Sequence, residues 1–145
     1  MVASAAVGYG IALPKDWVDA QKKLMPYFDN LAEIVAHHAG IKHPHTNADT
    51  NMWHRYTDKV NEFFESSPWK NFVLVEHGDF KTGFSYMVMV KPTFQRVFGS
   101  EEPESIDASA LIQPRGVVKK LRAFCEDFRI ITDDPSWYLT AINYG

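Results

Sequence analysis

Two apolar runs, Phe72–Val75 and Phe84–Val90, flank a short polar segment that holds Gly78, Asp79 and Gly83. The pattern predicts a β-hairpin over Asn71–Lys91 with a turn longer than two residues. Alternate residues of a strand share a face, and here both faces are apolar. Phe72, Leu74, Tyr86, Val88 and Val90 form one set; Val73, Val75, Met87 and Met89 form the other. A hairpin at a rim would turn polar residues to water on one side. These strands are therefore expected inside the fold, with cover on each face.

The rest of the chain is organised around that hairpin. Val7, Tyr9, Ile11 and Leu13 alternate with Gly8, Gly10 and Ala12, which predicts a strand with one bulky and one nearly bare face. A bare face lets a helix or a ligand approach the backbone, and close helix packing is the expected use. Pro14 and Asp16 suit the first turn of a helix that carries Trp17, Ala20, Leu24, Phe28, Leu31 and Val35. Pro26 should kink or split it near Met25, and Gly40 should stop it. After the polar loop Lys42–Asn51, a second helix should start near Asp49 or Thr50. Its expected buried stripe is Trp53, Tyr56, Val60 and Phe63, with Phe64 beside it, and Ser66-Ser67-Pro68 ends it.

Beyond Lys91-Pro92 the pattern weakens. Phe94, Val97 and Phe98 are apolar, and the acidic loop around Glu101 reads as solvated surface. Pro114 opens a third helix, with Val117, Leu121, Phe124, Cys125 and Phe128 inward and Lys119, Lys120 and Arg122 outward. Trp137–Tyr144 closes the chain as a strand rich in aromatic and β-branched residues. The order β, kinked α, α, β, β, α, β predicts one α+β domain over residues 1–145. Its sheet should be mostly antiparallel, of about four strands with the hairpin central, packed by about three to four helices.

Composition narrows the classes. A chain of 145 residues with 46% hydrophobic and 23% charged residues can bury a core without disulfides or metal. A formal charge of −3, with no long basic cluster, gives little support for binding a nucleic-acid backbone. Cys125 is the single cysteine, which allows no internal disulfide and fits a reducing compartment. No basic leader opens the chain, and no apolar run approaches the roughly 20 residues of a membrane helix. Aromatics make up 14%, and surplus aromatics often sit at interfaces.

Four segments carry a resemblance: VGYGIALP, IDASALIQP, VVKKLRAFCEDFRI and DPSWYLTAINYG. They resemble a class of small tailed-bacteriophage proteins that begin with a Gly-Tyr-Gly strand and end with a Trp-Tyr-Leu strand after a short amphipathic helix. The likeness covers both ends of the chain and leaves out its middle. It implies a phage origin and an accessory role; a cytoplasmic protein is expected, in the host cytoplasm if phage-encoded. The class brings no assigned chemistry, so no catalytic residue transfers.

The compositional anomaly is histidine: His37, His38, His43, His45 and His54 fall close together. Imidazole suits zinc and related metals, and a loop between helices could gather His38, His43, His45 and His54, with Asp49 or Asp58 adding a carboxylate. The spacing matches no established site, and adjacent His37 and His38 diverge by about 100° on a helix. The plain alternative is imidazoles near a helix C-terminus and in a solvated loop. His77 and Asp79 could form an acid–base pair, although turn aspartates usually serve the turn. Cys125 lies on an apolar stripe and reads as a small core residue. No Gly-x-Ser-x-Gly elbow, no pair of glutamates at a spacing that suggests general acid–base work and no Gly-rich phosphate loop is present.

Tyr9, Trp137, Tyr138 and Tyr144 sit in the terminal strands. If those strands are neighbours, they could form a partner or subunit surface; the alternative is an ordinary sheet core. The leading expectation is a non-enzymatic accessory protein without a cofactor, which binds a host protein and can form a homodimer. Two alternatives stay open. One is a metal-dependent hydrolase or nuclease on the histidine cluster. The other is a binder of a small nucleotide-like signal lodged against Gly8 and Gly10.

Overall fold

The computed structural model describes residues 3–13, 23, 30–42, 50–79, 81, 83–98, 105 and 108–143. In chain order these form β1 (Ala3–Ile11), α1 (Leu31–Ala39), α2 (Thr50–Glu65), β2 (Phe72–Asp79), β3 (Gly83–Val90), β4 (Gln95–Phe98), α3 (Val117–Phe128) and β5 (Ser136–Asn143). Short 3-10 turns occupy Lys91–Thr93 and Ala108–Leu111.

The hairpin forms, paired from Phe72 opposite Val90 to Asp79 opposite Gly83, and this register keeps the two expected sets on separate faces. Both faces are covered, by different means. Phe72, Leu74, Tyr86, Val88 and Val90 pack with Leu31, Val35, Tyr56, Val60, Phe64, Leu121 and Phe124 from the helices. Val75, Met87 and Met89 pack with Ala6 of β1, beside Phe94 and Tyr138. The second cover is therefore the other half of the sheet.

That arrangement follows from the pairings. β5 lies antiparallel along β1 from Ala3–Asn143 to Gly10–Ser136. β1 also meets β3 at Gly10–Met89 and Ile11–Val88. β2 meets β5, in parallel, at Gly78–Ile142 and Asp79–Asn143. The ring β1-β3-β2-β5 thus closes, with β4 added on the free side of β1 at Ser4–Val7. Between the β3 and β4 pairings, the Tyr9 N–H of β1 needs another acceptor. The buried Thr93 hydroxyl accepts it at 2.9 Å and donates to the Val90 carbonyl at 2.7 Å.

The bare face of β1 points into this ring, so its expected use is corrected. A strand approaches it, not a helix. A Cβ at Gly10 would stand 2.0 Å from the Val88 carbonyl oxygen, and one at Gly8 would stand 2.6 Å from the Met89 sulfur. A ligand cannot lie against these two glycines, because β3 fills the space.

The α+β class and the mostly antiparallel sheet stand, with five strands where about four were expected. The extra strand, Gln95–Phe98, is only four residues long, too short to declare an alternation. β1 starts at Ala3, earlier than expected, because Ala3-Ser4-Ala5-Ala6 shows no alternation of bulky and small residues. α1 carries its own cap: the Asn30 side chain accepts the Glu33 N–H at 3.0 Å. It ends at Gly40, whose φ of 72° suits glycine, as the sequence predicts. Pro14, Asp16, Trp17 and the kink at Pro26 lie outside the described residues.

On α2 the buried stripe is Tyr56, Val60 and Phe64, spaced by four; Phe63, expected to be buried, is only partly so. α2 also guards the open edge of β2. The Asn61 side-chain oxygen accepts the Leu74 N–H at 2.8 Å, and the Thr57 hydroxyl donates to Glu76 at 2.7 Å. Beneath α3, Phe124 and Phe128 lie 4.6 Å apart and Phe124 meets Phe72 at 5.5 Å, with Trp69 also in contact. Much of the aromatic surplus belongs to this core and not to an interface. Among the described residues, no helix is long and apolar enough to cross a membrane.

Candidate functional site

β1 and β5 carry no formal charge: ASAAVGYGI and SWYLTAIN hold no Asp, Glu, Lys or Arg. Cross-strand partners share a face, so the register arranges their outward side chains in rows. One row is Leu139, Val7 and Gln95; the next is Ala141, Ala5 and Val97. Arg96, the charged residue of β4, turns to the opposite face and donates to the Ser4 hydroxyl at 2.9 Å.

Among the described residues, the helices pack on the hairpin end of the outer surface and none covers these rows. Leu139 is 78% exposed and Ala141 is exposed, while Val7, Ala5 and Val97 are half-buried by their neighbours. Trp137 marks the border. It is 37% exposed, and its ring meets the edge of Tyr9 at 5.4 Å. Tyr9 itself belongs to the helical core at 5% exposure, with its hydroxyl donating to the Pro135 carbonyl at 3.3 Å.

The predicted aromatic surface is therefore divided. The terminal strands are neighbours as anticipated, and Tyr9 and Trp137 come together. Tyr138 points into the ring, beside the methionine cluster. Burial pushes its phenol up from the usual value. Tyr144 lies outside the described residues. Sequence reasoning missed Leu139, Val7, Ala5, Ala141 and Val97. The available signal was the alternation Trp137-Leu139-Ala141 in a strand without charge.

The histidines separate. His37 and His38 are exposed at the end of α1, 6.0 Å apart in an edge-on contact. His38 stacks on Phe128 at 4.8 Å, so its ring caps the core beneath α3. His54 is exposed on α2. His43, His45 and Asp49 lie outside the described residues. Among the described residues no group of three or more His, Cys, Asp or Glu side chains could hold a metal.

Asp79 serves its turn, accepting the Lys81 N–H at 2.7 Å and the Asn143 side-chain N–H at 3.2 Å. His77 projects to the inner face of the curled sheet, and burial lowers its pKa. Glu76, buried on the outer face, accepts from Thr57. Nearby, burial and the charge of Glu33 push the Tyr56 phenol up. Cys125 lines a cleft of about 300 Å³ with Ile11, Leu121, Ile130 and Thr132. Burial pushes its thiol up, partly offset by the Thr132 hydroxyl at 3.6 Å, which disfavours the nucleophilic thiolate.

Compared with known proteins, the chain matches no family model, no curated protein and no solved structure.

Proposed function

We propose that this protein acts by binding another protein through the outer face of β5, β1 and β4. The observation that carries the reading is Leu139, 78% exposed on a face without formal charge. Trp137, Leu139 and Ala141 are exposed one after another along the same face of β5, and adjoining exposed apolar residues are a feature of interaction surfaces. Trp137 adds a partly exposed aromatic anchor at the border of the face, the residue type most enriched among energetic hot spots. The rigid ladder beneath holds the patch in shape, so little ordering entropy opposes association.

The resemblance of both chain ends to small bacteriophage proteins adds an origin to this proposal. In that setting the protein is an accessory factor of the host cytoplasm, and the partner is a host protein. The test compares the full chain with Leu139→Glu in copurification from a bacterial lysate at near-physiological salt. The side chain is exposed, so the variant should melt with the wild type. A partner held by the wild type and lost by the variant supports the reading. Recovery of no partner by the wild type, or equal recovery by both, refutes it.

A further inference from the structure

We infer that the edge of β5 turned away from β1, from Ser136 to Ala141, takes up an extended segment of a partner protein as an added strand, with a basic residue of that segment beside Asp133. This rests on the reading of this end of the sheet as a protein-binding surface and names the form its partner takes. The backbone carries it, not the apolar rows. β5 pairs with β1 along one edge, from Ser136 to Asn143. On the other edge β2 reaches only Ile142 and Asn143. Among the described residues, no strand or loop backbone pairs with that edge between Ser136 and Ala141. Every second residue there turns an N–H and a C=O outward, and such groups are satisfied by water or by another strand.

Elsewhere the fold closes comparable gaps with side chains. Asn61 accepts the Leu74 N–H on β2, and Thr93 accepts the Tyr9 N–H on β1. β5 has none of the features that blunt an edge: SWYLTAIN holds no charge, no proline and no glycine. Nor is the strand shielded. Ser136, Trp137, Leu139 and Ala141 are exposed. Thr140 shares the inner face with its partner Ala6, as Tyr138 does with Gly8, yet both are only half-buried.

A single strand fits this edge better than a second copy does. Two copies pairing β5 with β5, antiparallel over Ser136–Ala141, would each bring Pro135 and Asp134 beside Ile142, where β2 already lies. An isolated segment can turn away at that point. Charge selects its flank. Arg122, Glu126, Asp133 and Asp134 gather at the cleft where β5 begins, so three carboxylates meet one guanidinium, which reaches Asp134 at 3.7 Å. Asp133 acts on the strand itself: burial and then its charge push the Tyr138 phenol up. A segment with a lysine or arginine at that end is drawn in, and one ending in a carboxylate is repelled. Its middle should be uncharged and β-branched, because its neighbours are Trp137 and Leu139 on one face and Tyr138 and Thr140 on the other.

The probe is the peptide acetyl-Lys-Thr-Val-Thr-Val-Thr-Lys-amide, with lysine at both ends to suit either strand direction. It is titrated into the isotope-labelled full chain and followed by backbone amide shifts. Those of Trp137–Ala141 should move and saturate with a Kd on the order of 100 μM, since the peptide must be ordered on binding. N-methylation of its three central residues keeps the side chains but removes the donors, and should weaken binding about tenfold or more. Glutamate in place of both lysines should weaken it about fivefold, a gap that narrows in Asp133→Asn/Asp134→Asn. Both aspartates are exposed, so this variant should melt with the wild type.

No shift on β5 up to about 2 mM peptide overturns the inference. Equal affinity for the plain and N-methylated peptides also overturns it, because side-chain docking survives methylation and strand addition does not. So does equal affinity for lysine and glutamate ends. The broader reading fails separately: a β5 that ignores the peptide, while Leu139→Glu still loses a lysate partner, removes the added strand alone.

Discussion

Replacing Gly10 by alanine should damage the fold far more than the same change at Gly8, although the two residues sit on one face of one strand. Neither has the positive φ that favours glycine, so the difference is one of space. A Cβ at Gly10 would lie 2.0 Å from the Val88 carbonyl oxygen and 2.7 Å from the Met89 Cα. Ordinary contact is about 3.5 Å, so β1 and β3 must separate by more than an ångström. Both neighbours are backbone and cannot rotate away. The separation opens the Gly10–Met89 and Ile11–Val88 pairings that close the ring, and it draws the fully buried Ile11 with it. Overpacking costs about 1–3 kcal/mol, and the backbone collision places this case near 3 kcal/mol. For a chain of this size that is a fall in Tm of roughly 6–12 °C.

At Gly8 the nearest atom is the Met89 sulfur at 2.6 Å, the far part of a flexible side chain. Alanine also reduces the freedom of the unfolded chain, which offsets part of the crowding. The net change should stay within about 1 kcal/mol, or roughly 3 °C in Tm. Thermal melts followed by far-UV circular dichroism, with urea titrations as a second measure, decide the contrast. If Gly10→Ala melts within about 3 °C of the wild type, or if Gly8→Ala is the more harmful, the ring closure described here is wrong.

Three further outcomes follow from the geometry. Asn61→Ala should cost about 1–3 kcal/mol in urea unfolding, because the Leu74 N–H on the open edge of β2 loses its 2.8 Å acceptor. His77 has its pKa lowered from 6.5 by burial, so the unfolded chain binds its proton more readily than the folded one. Its neutral form contributes fully above pH 6.5, and stability is lost as pH falls from there through the folded-state pKa. His77→Gln should therefore lose less Tm than the wild type between pH 7 and 5, and an equal loss would refute the assignment. His38→Phe keeps the stacking on Phe128 at 4.8 Å while removing a ligand atom. Untagged protein should keep its Tm and its metal content by elemental analysis; a drop in bound metal would instead support the histidine-cluster reading.

The hairpin was the most legible part of the chain, because both faces of Phe72–Val90 are apolar and only a doubly covered strand pair accommodates that. Gly40 and the stripe of α3 were legible for equally local reasons: a left-handed cap and a repeat of three and four. What covered the second face was not. Gly8 and Gly10 declared a close approach, but a helix and a strand demand the same bareness, and only the Gly10–Met89 pairing tells them apart. The choice between Phe63 and Phe64 on α2 turned on helix rotation, which adjacent phenylalanines leave undetermined until Tyr56 and Val60 are placed.

The candidate surface was half legible. Trp137 was selected for its ring, and its neighbours were passed over because an isolated leucine or alanine in a strand has no meaning of its own. Their significance depends on the register that sets Leu139 beside Val7 and Ala141 beside Ala5. Tyr9 and Tyr138 were misdirected for the same reason. Their strands are adjacent, but one ring faces the helices and the other faces the methionines.

Photo-crosslinking from single positions tests the protein-binding surface most directly. A photoreactive amino acid is placed at position 139 in one variant and, as a control, at the exposed Lys119 on α3 in another. Irradiation of the full chain in lysate should give a discrete protein adduct from position 139 and none from position 119. No adduct from position 139, or equal adducts from both, would contradict the assignment of this face.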